Sequence, residues 1–544
     1  MDGLEPGEAH GPGRSVPRVT RTAVLRWGAP AVVLVGAAAL GFWLLALART
    51  QWFVMDEFDY FGSSRDPLIV WLLRPHNEHT IAFTKLWFAS LLPIVGLRHY
   101  ALYALPLVLA HLVVVGVVYR LTWLSTGYRT VAAAAALMTA AMGAALGTLT
   151  WAGQFQYVGA VAPGLMIILL ASETRTRRHV TAVFVATVIG TFSGTAFVAF
   201  ALAGAVAYAY RRRWHEAVVV AALPVSWQLL MRALWAPADP YAAHGLGEIM
   251  RLGPAFAFSI LDNGISQTVG DPHLSAALLV ALAVGTLALL SGARGSRTSD
   301  VARDVTGTLA LATLLSMSVL VAGRLELGPS LANGGGYSYL FLATLFPLAG
   351  ILLGQVARRR SARVAIVGTM AVISVIGVAT ISYGARSLSD WKLSGERVMQ
   401  AAAAELARGL STYPDQVPAP DTAPTVSQET LLSWVASRSL DPVNTDSTAS
   451  DQASLNMQWR LVAGTDVPSH CQLLASGEQA SIPAAAGTLL TAMQAGTAVT
   501  VQYLASPARR RFELPSSTSA LQSVANRGAL LSVDAGSARA CLAP

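Results

Sequence analysis

The chain is short of charge, of lysine and of cysteine, and each shortage excludes something. Charged residues fill 12% of its 544 positions, against roughly a quarter in soluble domains, which rules out an ordinary globular enzyme. Lys85 and Lys392 are the only lysines among 38 basic residues. No Gly-rich stretch therefore leads into the Lys-Ser/Thr of a phosphate-binding loop, and Asn333-Gly334-Gly335-Gly336 reads as a flexible turn. The two cysteines, Cys471 and Cys541, both lie in the final polar third, beyond the last apolar run. They permit at most one disulfide, and oxidising conditions outside the cytoplasm would favour it.

What the chain has in abundance is apolar sequence, 54% of its residues, which marks a polytopic membrane protein. Many runs are filled by small residues, as in Ala132 to Ala136, and small residues let membrane helices approach closely. The arginine and alanine excess points to a GC-rich bacterial genome. The net charge of +8 is carried by arginine clusters between apolar runs. That is the pattern of topological signals, and nucleic acid is not expected as a partner.

Twelve apolar runs lie near 27–48, 81–97, 99–119, 130–149, 157–172, 179–193, 195–210, 215–235, 273–293, 304–323, 337–357 and 361–383. Residues 1–26 are polar and carry Arg14, Arg18, Arg21 and Arg26, so a disordered cytoplasmic tail followed by a retained first helix is expected. Twelve crossings would put the basic segments on inconsistent sides. If 81–97, short and interrupted by Lys85 and Pro93, lies in the interface, eleven crossings remain. Arg120 and Arg129, Arg175 to Arg178, Arg211 to Arg213, Arg294 to Arg303 and Arg358 to Arg360 then all face the cytoplasm. The run pair 179–193 and 195–210 is either two spans or one kinked helix hinged at Ser193-Gly194-Thr195.

This topology predicts an all-α membrane bundle over 27–383 with a small mixed α/β extracytoplasmic domain over 384–544. The outer face receives the first loop, 49–98, a loop near 236–272, a shorter one near 324–336 and the terminal domain. In the last, a helix is expected over Leu388 to Leu410, with Trp391, Val398, Ala402 and Leu406 on one face. A linker is expected over Tyr413 to Thr425, and strands over Ala498 to Leu504 and Ala529 to Val533.

The first external loop holds Asp56-Glu57-Phe58-Asp59-Tyr60-Phe61 and then Arg74-Pro75-His76-Asn77-Glu78-His79. Trp52, Phe53 and Tyr60 are expected at the headgroup level, pinning the carboxylates near the bilayer surface. Asp59 reads as a helix-start or loop residue and Asp66, before Pro67, as a turn. A divalent ion, if bound, would be Mg or Mn on Asp56, Glu57 and Glu78, with ligation by His76 and His79 competing with simple hydrogen bonding. His111 reads as hydrogen-bonded core. Gln154 and Gln156 are placed to meet sugar hydroxyls or to cap a helix, and Asp262, Asn263, Asp271 and His273 to form an acceptor side.

An acidic pair opening the first external loop, a polar motif leading an interfacial helix, spans ending in arginine and a soluble outer domain together resemble the GT-C glycosyltransferases. These polytopic enzymes take sugars from polyprenyl-phosphate carriers and include protein mannosyltransferases, aminoarabinose transferases and bacterial arabinofuranosyltransferases. The resemblance covers 27–383 as architecture, and as motif Asp56-Glu57 and Arg74 to His79. Where relatives place a Pro-Pro-Leu type sequence, this chain has Asn77-Glu78-His79.

The resemblance implies Asp56 as catalytic base, with Glu57 beside it. An inverting transfer needs one carboxylate to take the acceptor proton while the lipid phosphate leaves unaided. Arg74, Arg65 and Arg324 are expected to hold that phosphate, and Tyr337 and Tyr339 to stack on sugar or isoprenoid. The expected partners are a polyprenyl-phosphate sugar, a glycan, lipid or protein acceptor and membrane lipids, at the outer face of the cell membrane. A transporter, a lipid flippase and a non-catalytic envelope-assembly protein are the alternatives.

Overall fold

The computed structural model describes residues 21–62, 67–77, 79–174, 176–235, 245–292, 297–328, 335–410, 412–443, 447–463, 471–482, 489–492, 494–504, 506–515, 519–523 and 529–541. Residues 1–20 of the expected tail, and Arg65, Asp66, Glu78, Asn333 and Gly334, lie outside them. The helices run in the order α1 (Arg21–Ala48), α2 (Leu68–Leu73), α3 (Ala82–Val95), α4 (Tyr100–Thr126), α5 (Arg129–Ala140), α6 (Leu146–Leu149), α7 (Phe155–Ser172) and α8 (Arg177–Ser193). They continue with α9 (Phe197–Tyr210), α10 (Trp214–Trp235), α11 (Leu246–Val269), α12 (Pro272–Ser291), α13 (Arg297–Arg324), α14 (Gly335–Val356) and α15 (Arg360–Ala407).

Among the described residues nine helical segments are long and apolar enough to cross a membrane, and the chain is a multi-pass helical membrane protein. α4 is the hub, packed against α1, α5, α7, α13 and α14. Small residues make the close contacts: Ala132 to Ala136 are all buried, and a Cβ on Gly377 of α15 would sit 1.8 Å from the Ala141 carbonyl oxygen.

The basic segments gather at one end of the bundle. Arg120 pairs with Glu173 at 2.8 Å and Arg211 with Asp304 at 2.7 Å. Arg213 donates to the Leu170 carbonyl, and Arg363 stacks over Tyr128. Twenty residues of α4 separate Arg120 from Tyr100, about 30 Å at 1.5 Å per residue, which is the thickness of a hydrocarbon core. The acidic loop therefore sits one membrane thickness away from the arginines.

Three expectations change, and one open alternative is resolved. The run pair 179–193 and 195–210 forms separate helices, α8 of 17 and α9 of 14 residues, because the chain breaks at Gly194, where Phe197 folds back against Gly190 and the Gly194 backbone abuts the Gln156 carbonyl. The expected loop at 236–272 is mostly α11. Gly253 packs on Val321 near the end of α13, and Gly264 lies by Ser338 and Leu342 near the start of α14. α11 thus runs across those helix ends rather than alongside them, and its buried Phe256, Ile260 and Ile265 alternate with polar residues, which hid it from a search for unbroken apolar runs.

The last span and the helix expected after it form the single 48-residue α15. Its buried positions include Ala385, Ser389, Lys392, Gly395, Met399 and Ala402; of the expected face Ala402 is buried, Val398 and Leu406 pack at its edge, and Trp391 is 38% exposed. Finally, Tyr413 to Thr425 is no linker: Ala419 and Ala423 are buried, and the Thr422 carbonyl accepts from the Met55 amide.

Beyond α15 come α16 (Gln428–Ala436) and α17 (Ser447–Gln458), then, among the described residues, nine strands in two antiparallel sheets. The first sheet has the order β1 (Trp459–Ala463), β7 (Ser519–Ser523), β4 (Leu489–Ala492), β9 (Ser537–Cys541), β2 (Cys471–Ala475). The second has the order β3 (Gln479–Ile482), β8 (Ala529–Ala535), β5 (Thr497–Tyr503), β6 (Arg509–Leu514). The two strands expected from sequence, β5 and β8, pair with each other. Alternate residues Val499, Val501 and Tyr503 enter a core with Trp459, Leu521 and Leu531. In the β2–β9 register Cys471 lies directly opposite Cys541.

Candidate active site

The acidic loop folds as a 3-10 helix, Met55–Phe61, held from beneath by aromatic rings. Phe53, Phe58 and Phe61 pack edge-on or tilted against one another and against Phe88, Tyr100 and Tyr103, and Phe58 stacks on Trp434 of α16. Trp52, Phe53 and Tyr60 are each 3% exposed or less. The rings expected at the headgroup level fix the loop through protein instead.

Glu57 is the central pin of this arrangement and not an open catalytic group. Its carboxylate is fully buried and accepts from the Val54 amide at 3.0 Å, the Gly153 amide at 2.8 Å and the Tyr100 hydroxyl at 2.7 Å. Burial pushes its pKa up, against the nearby Lys392 ammonium and these three donors. Lys392 is itself buried, donates to the Thr150 carbonyl and lies over the Tyr100 ring. One carboxylate thus ties the loop to α4, to the turn before α7 and to α15.

Asp56 and Asp59 project from the other side. A 3-10 helix has three residues per turn, so positions i and i+3 eclipse, and both carboxylates meet His76. Asp56 Oδ2 lies 3.2 Å from His76 Nε2 and Asp59 Oδ2 3.7 Å from Nδ1. The Asn77 amide also reaches Asp56, at 3.4 Å. Asp56 is the more open, 45% exposed against 32% for Asp59.

The His76 imidazole beside it holds the Asp56 carboxyl below the usual range, against burial. Burial raises that of Asp59, against a hydrogen bond from Thr425. The Asp-x-x-Asp spacing was the available signal for Asp59, but only a 3-10 helix converts that spacing into one face.

One ligand atom each from Asp56, Asp59 and His76 lies within 4.8 Å of the others. Two carboxylate oxygens and an imidazole nitrogen suit a divalent cation such as Mg or Mn. Glu57, in the set expected from sequence, is committed elsewhere.

The segment carrying His76 is locked locally. His76 and His79 exchange both backbone hydrogen bonds at 2.9 Å around Asn77, whose φ is +44°. The buried Lys85 ammonium donates to the Trp71 and Arg74 carbonyls. Both lysines of the chain are thus buried beside the acidic loop, where a compact ammonium holds backbone carbonyls. The Arg74 side chain is exposed.

A cavity of about 580 Å³ opens beside Pro75 and His79. Its walls are mainly apolar, including Ala196, Ala199, Met231, Val319, Leu320 and Leu340, and it also takes in Tyr157, Gln228, Arg232, Arg324 and Tyr337. A line of rings leads into it: His79 to Tyr157 at 6.3 Å, Tyr157 to Tyr337 at 5.7 Å, and Arg324 donating to the Tyr337 hydroxyl at 3.4 Å.

Tyr337 and Arg324 therefore belong to the cavity, whereas Tyr339 turns into the core. Its hydroxyl meets His111 Nδ1 at 2.9 Å, and His111 Nε2 meets the Ala140 carbonyl at 3.1 Å. A carbonyl accepts only, so Nε2 carries the proton and the Tyr339 hydroxyl donates to Nδ1. Stacking on a ligand is excluded for Tyr339 by that burial.

Arg232 escaped the sequence reading. It lies in the last turn of an otherwise apolar span, where sequence alone does not distinguish a ligand-binding arginine from one that snorkels to the interface. In the turn before α7 and at the start of that helix, the buried polar atoms Trp151 Nε1, Gln154 Oε1 and Gln156 Oε1 have no hydrogen-bond partner among the described residues. Asp271 caps α12 by accepting from the Leu274 amide at 2.9 Å, a structural role. No protein-family model matches the chain, and neither a curated protein nor a solved structure matches it.

Proposed function

We propose that the chain is a membrane glycosyltransferase of GT-C type, which moves a sugar from a polyprenyl-phosphate donor to a cell-envelope acceptor at the outer face of the cytoplasmic membrane. The observation that carries this reading is a half-open carboxylate, Asp56, backed by His76 and Asp59, within electrostatic reach of His79 and Tyr157, which line an apolar cavity together with Arg232 and Arg324. In it the arginines at the basic end are cytoplasmic, eleven segments cross, and the terminal domain is external.

The apolar walls suit an isoprenoid, and the two guanidinium groups suit its phosphate. The acceptor hydroxyl gives its proton to Asp56 as its oxygen bonds to the anomeric carbon, and the carbon–oxygen bond to the lipid phosphate breaks with its electron pair on the phosphate. His76, 3.2 Å behind Asp56, can receive that proton in turn. A divalent cation held by Asp56, Asp59 and His76 would supply positive charge to the leaving phosphate in place of the proton relay through His76.

A lipid flippase is the second reading, favoured by the same cavity and arginines without the acid cluster. Radiolabelled polyprenyl-phosphate sugar, incubated with purified protein in lipid and a membrane acceptor fraction, separates the two. Transfer by wild type and none by Asp56→Ala supports the transferase. Donor movement between leaflets that survives Asp56→Ala, with no transfer, supports the flippase.

A further inference from the structure

At the far end of α3 from His79, about 20 Å along the helix, a second pocket of about 290 Å³ lies where the turn between α3 and α4 meets the turn after α16. Gly96, Arg98, His99, Ser437, Arg438 and Ser439 contribute to its walls. The two turns interlock. The Leu97 amide donates to the Ser439 carbonyl at 2.7 Å, and a Cβ on Gly96 would lie 2.6 Å from that same oxygen. Arg98 pairs with Asp441 at 2.5 Å.

Gly96, His99 and Arg438 hold φ of +61°, +55° and +58°, and non-glycine residues keep such values only where their surroundings hold them. The pocket is therefore prebuilt. Arg98, His99 and Arg438 face it, and the carboxylate paired there is Asp441. Beside it the end of α3 presents apolar side chains outward, with Ile94 75% exposed, although 14 residues are too few to cross a bilayer. A helix lying with that face in the acyl boundary sets the pocket at headgroup level.

We propose that this pocket binds the phosphate group of an anionic membrane lipid, bridging the first loop and the terminal region. Guanidinium groups take phosphate in two-point contact, and basic side chains at a membrane surface attract anionic headgroups. The site is distinct from the cavity beside Asp56 and does not depend on the transferase reading.

The test is lipid retention by the full-length purified chain, measured by native mass spectrometry after equilibration with phosphatidylglycerol, with phosphatidylcholine, or with inorganic phosphate in detergent free of anionic lipid. The expected result is preferential retention of phosphatidylglycerol. Arg438→Gln should weaken it about fivefold, and Arg98→Gln with Arg438→Gln about 25-fold, while Arg438→Lys keeps most of it. Arg438→Gln is decisive because Arg98 also pairs with Asp441, and gel filtration checks that each variant folds. Equal retention of both lipids, or unchanged retention in Arg438→Gln, overturns the proposal. So does binding of inorganic phosphate without retention of phosphatidylglycerol, which would assign the pocket to a soluble phosphate.

Discussion

Replacing Glu57 by glutamine should release the acidic loop from the bundle. The side chain keeps its shape but loses its charge, so Lys392 is left buried without its counter-ion and an amide N–H₂ meets the donors that the carboxylate satisfied. Hydrogen bonds to a charged group contribute about 1.5–3 kcal/mol each, so weakening two of the three that Glu57 accepts costs roughly 3–5 kcal/mol. That corresponds to between about two and four orders of magnitude in a local opening equilibrium. The assay is hydrogen exchange of the Val54 and Gly153 amides in detergent-solubilised protein, since both donate to Glu57. Their exchange should accelerate at least a hundredfold, with little change at the basic end of α4. Adding Lys392→Met should restore part of the protection, because it removes the buried positive charge that the Glu57 carboxylate offsets. A change below tenfold in Glu57→Gln, or strict additivity in the double variant, would refute the pin.

Four further outcomes follow from the structure. If Asp56 is the base, its carboxyl is held low by His76, so the acid limb of kcat/KM lies below the ordinary aspartate range; His76→Gln moves that limb up, whereas a limb already above the range would assign the base to Asp59, whose pKa burial raises. The two residues also act oppositely on stability: the Asp56 contribution is lost as pH falls through its lowered folded pKa, and Asp59 disfavours the fold as pH rises from its unfolded pKa through its raised folded one. Arg324→Gln and Arg232→Gln should each raise the donor KM by about tenfold or more, the value of a charge-assisted hydrogen bond, with unchanged KM showing that the phosphate sits elsewhere. Thiol titration of the denatured, unreduced chain should find neither Cys471 nor Cys541 free, because directly paired antiparallel positions fall within disulfide range; two reactive thiols would exclude the bond.

The sequence exposed what periodicity and composition carry. Long apolar runs marked the main helices, arginine clusters marked one end, and the short runs Ala498 to Leu504 and Ala529 to Val533 marked β5 and β8. It concealed features that depend on tertiary packing. Glu57 looked like the partner of Asp56 because it is its neighbour, yet a 3-10 helix turns the two in different directions. Asp59 looked like loop for the same reason. Lys392 could not be recognised as buried, because its counter-ion lies more than 300 positions away in the chain. α11 was hidden by its polar residues, and the Tyr413 to Thr425 segment by its prolines, although its carbonyls and alanines pack on the acidic loop.

The most direct test of the central claim is single-turnover transfer from a radiolabelled polyprenyl-phosphate sugar by wild type and by Asp56→Ala, both shown by gel filtration to be folded. Label passing to an acceptor with wild type, and a loss of at least a hundredfold in the variant, is the predicted result. Equal transfer by both proteins would contradict it.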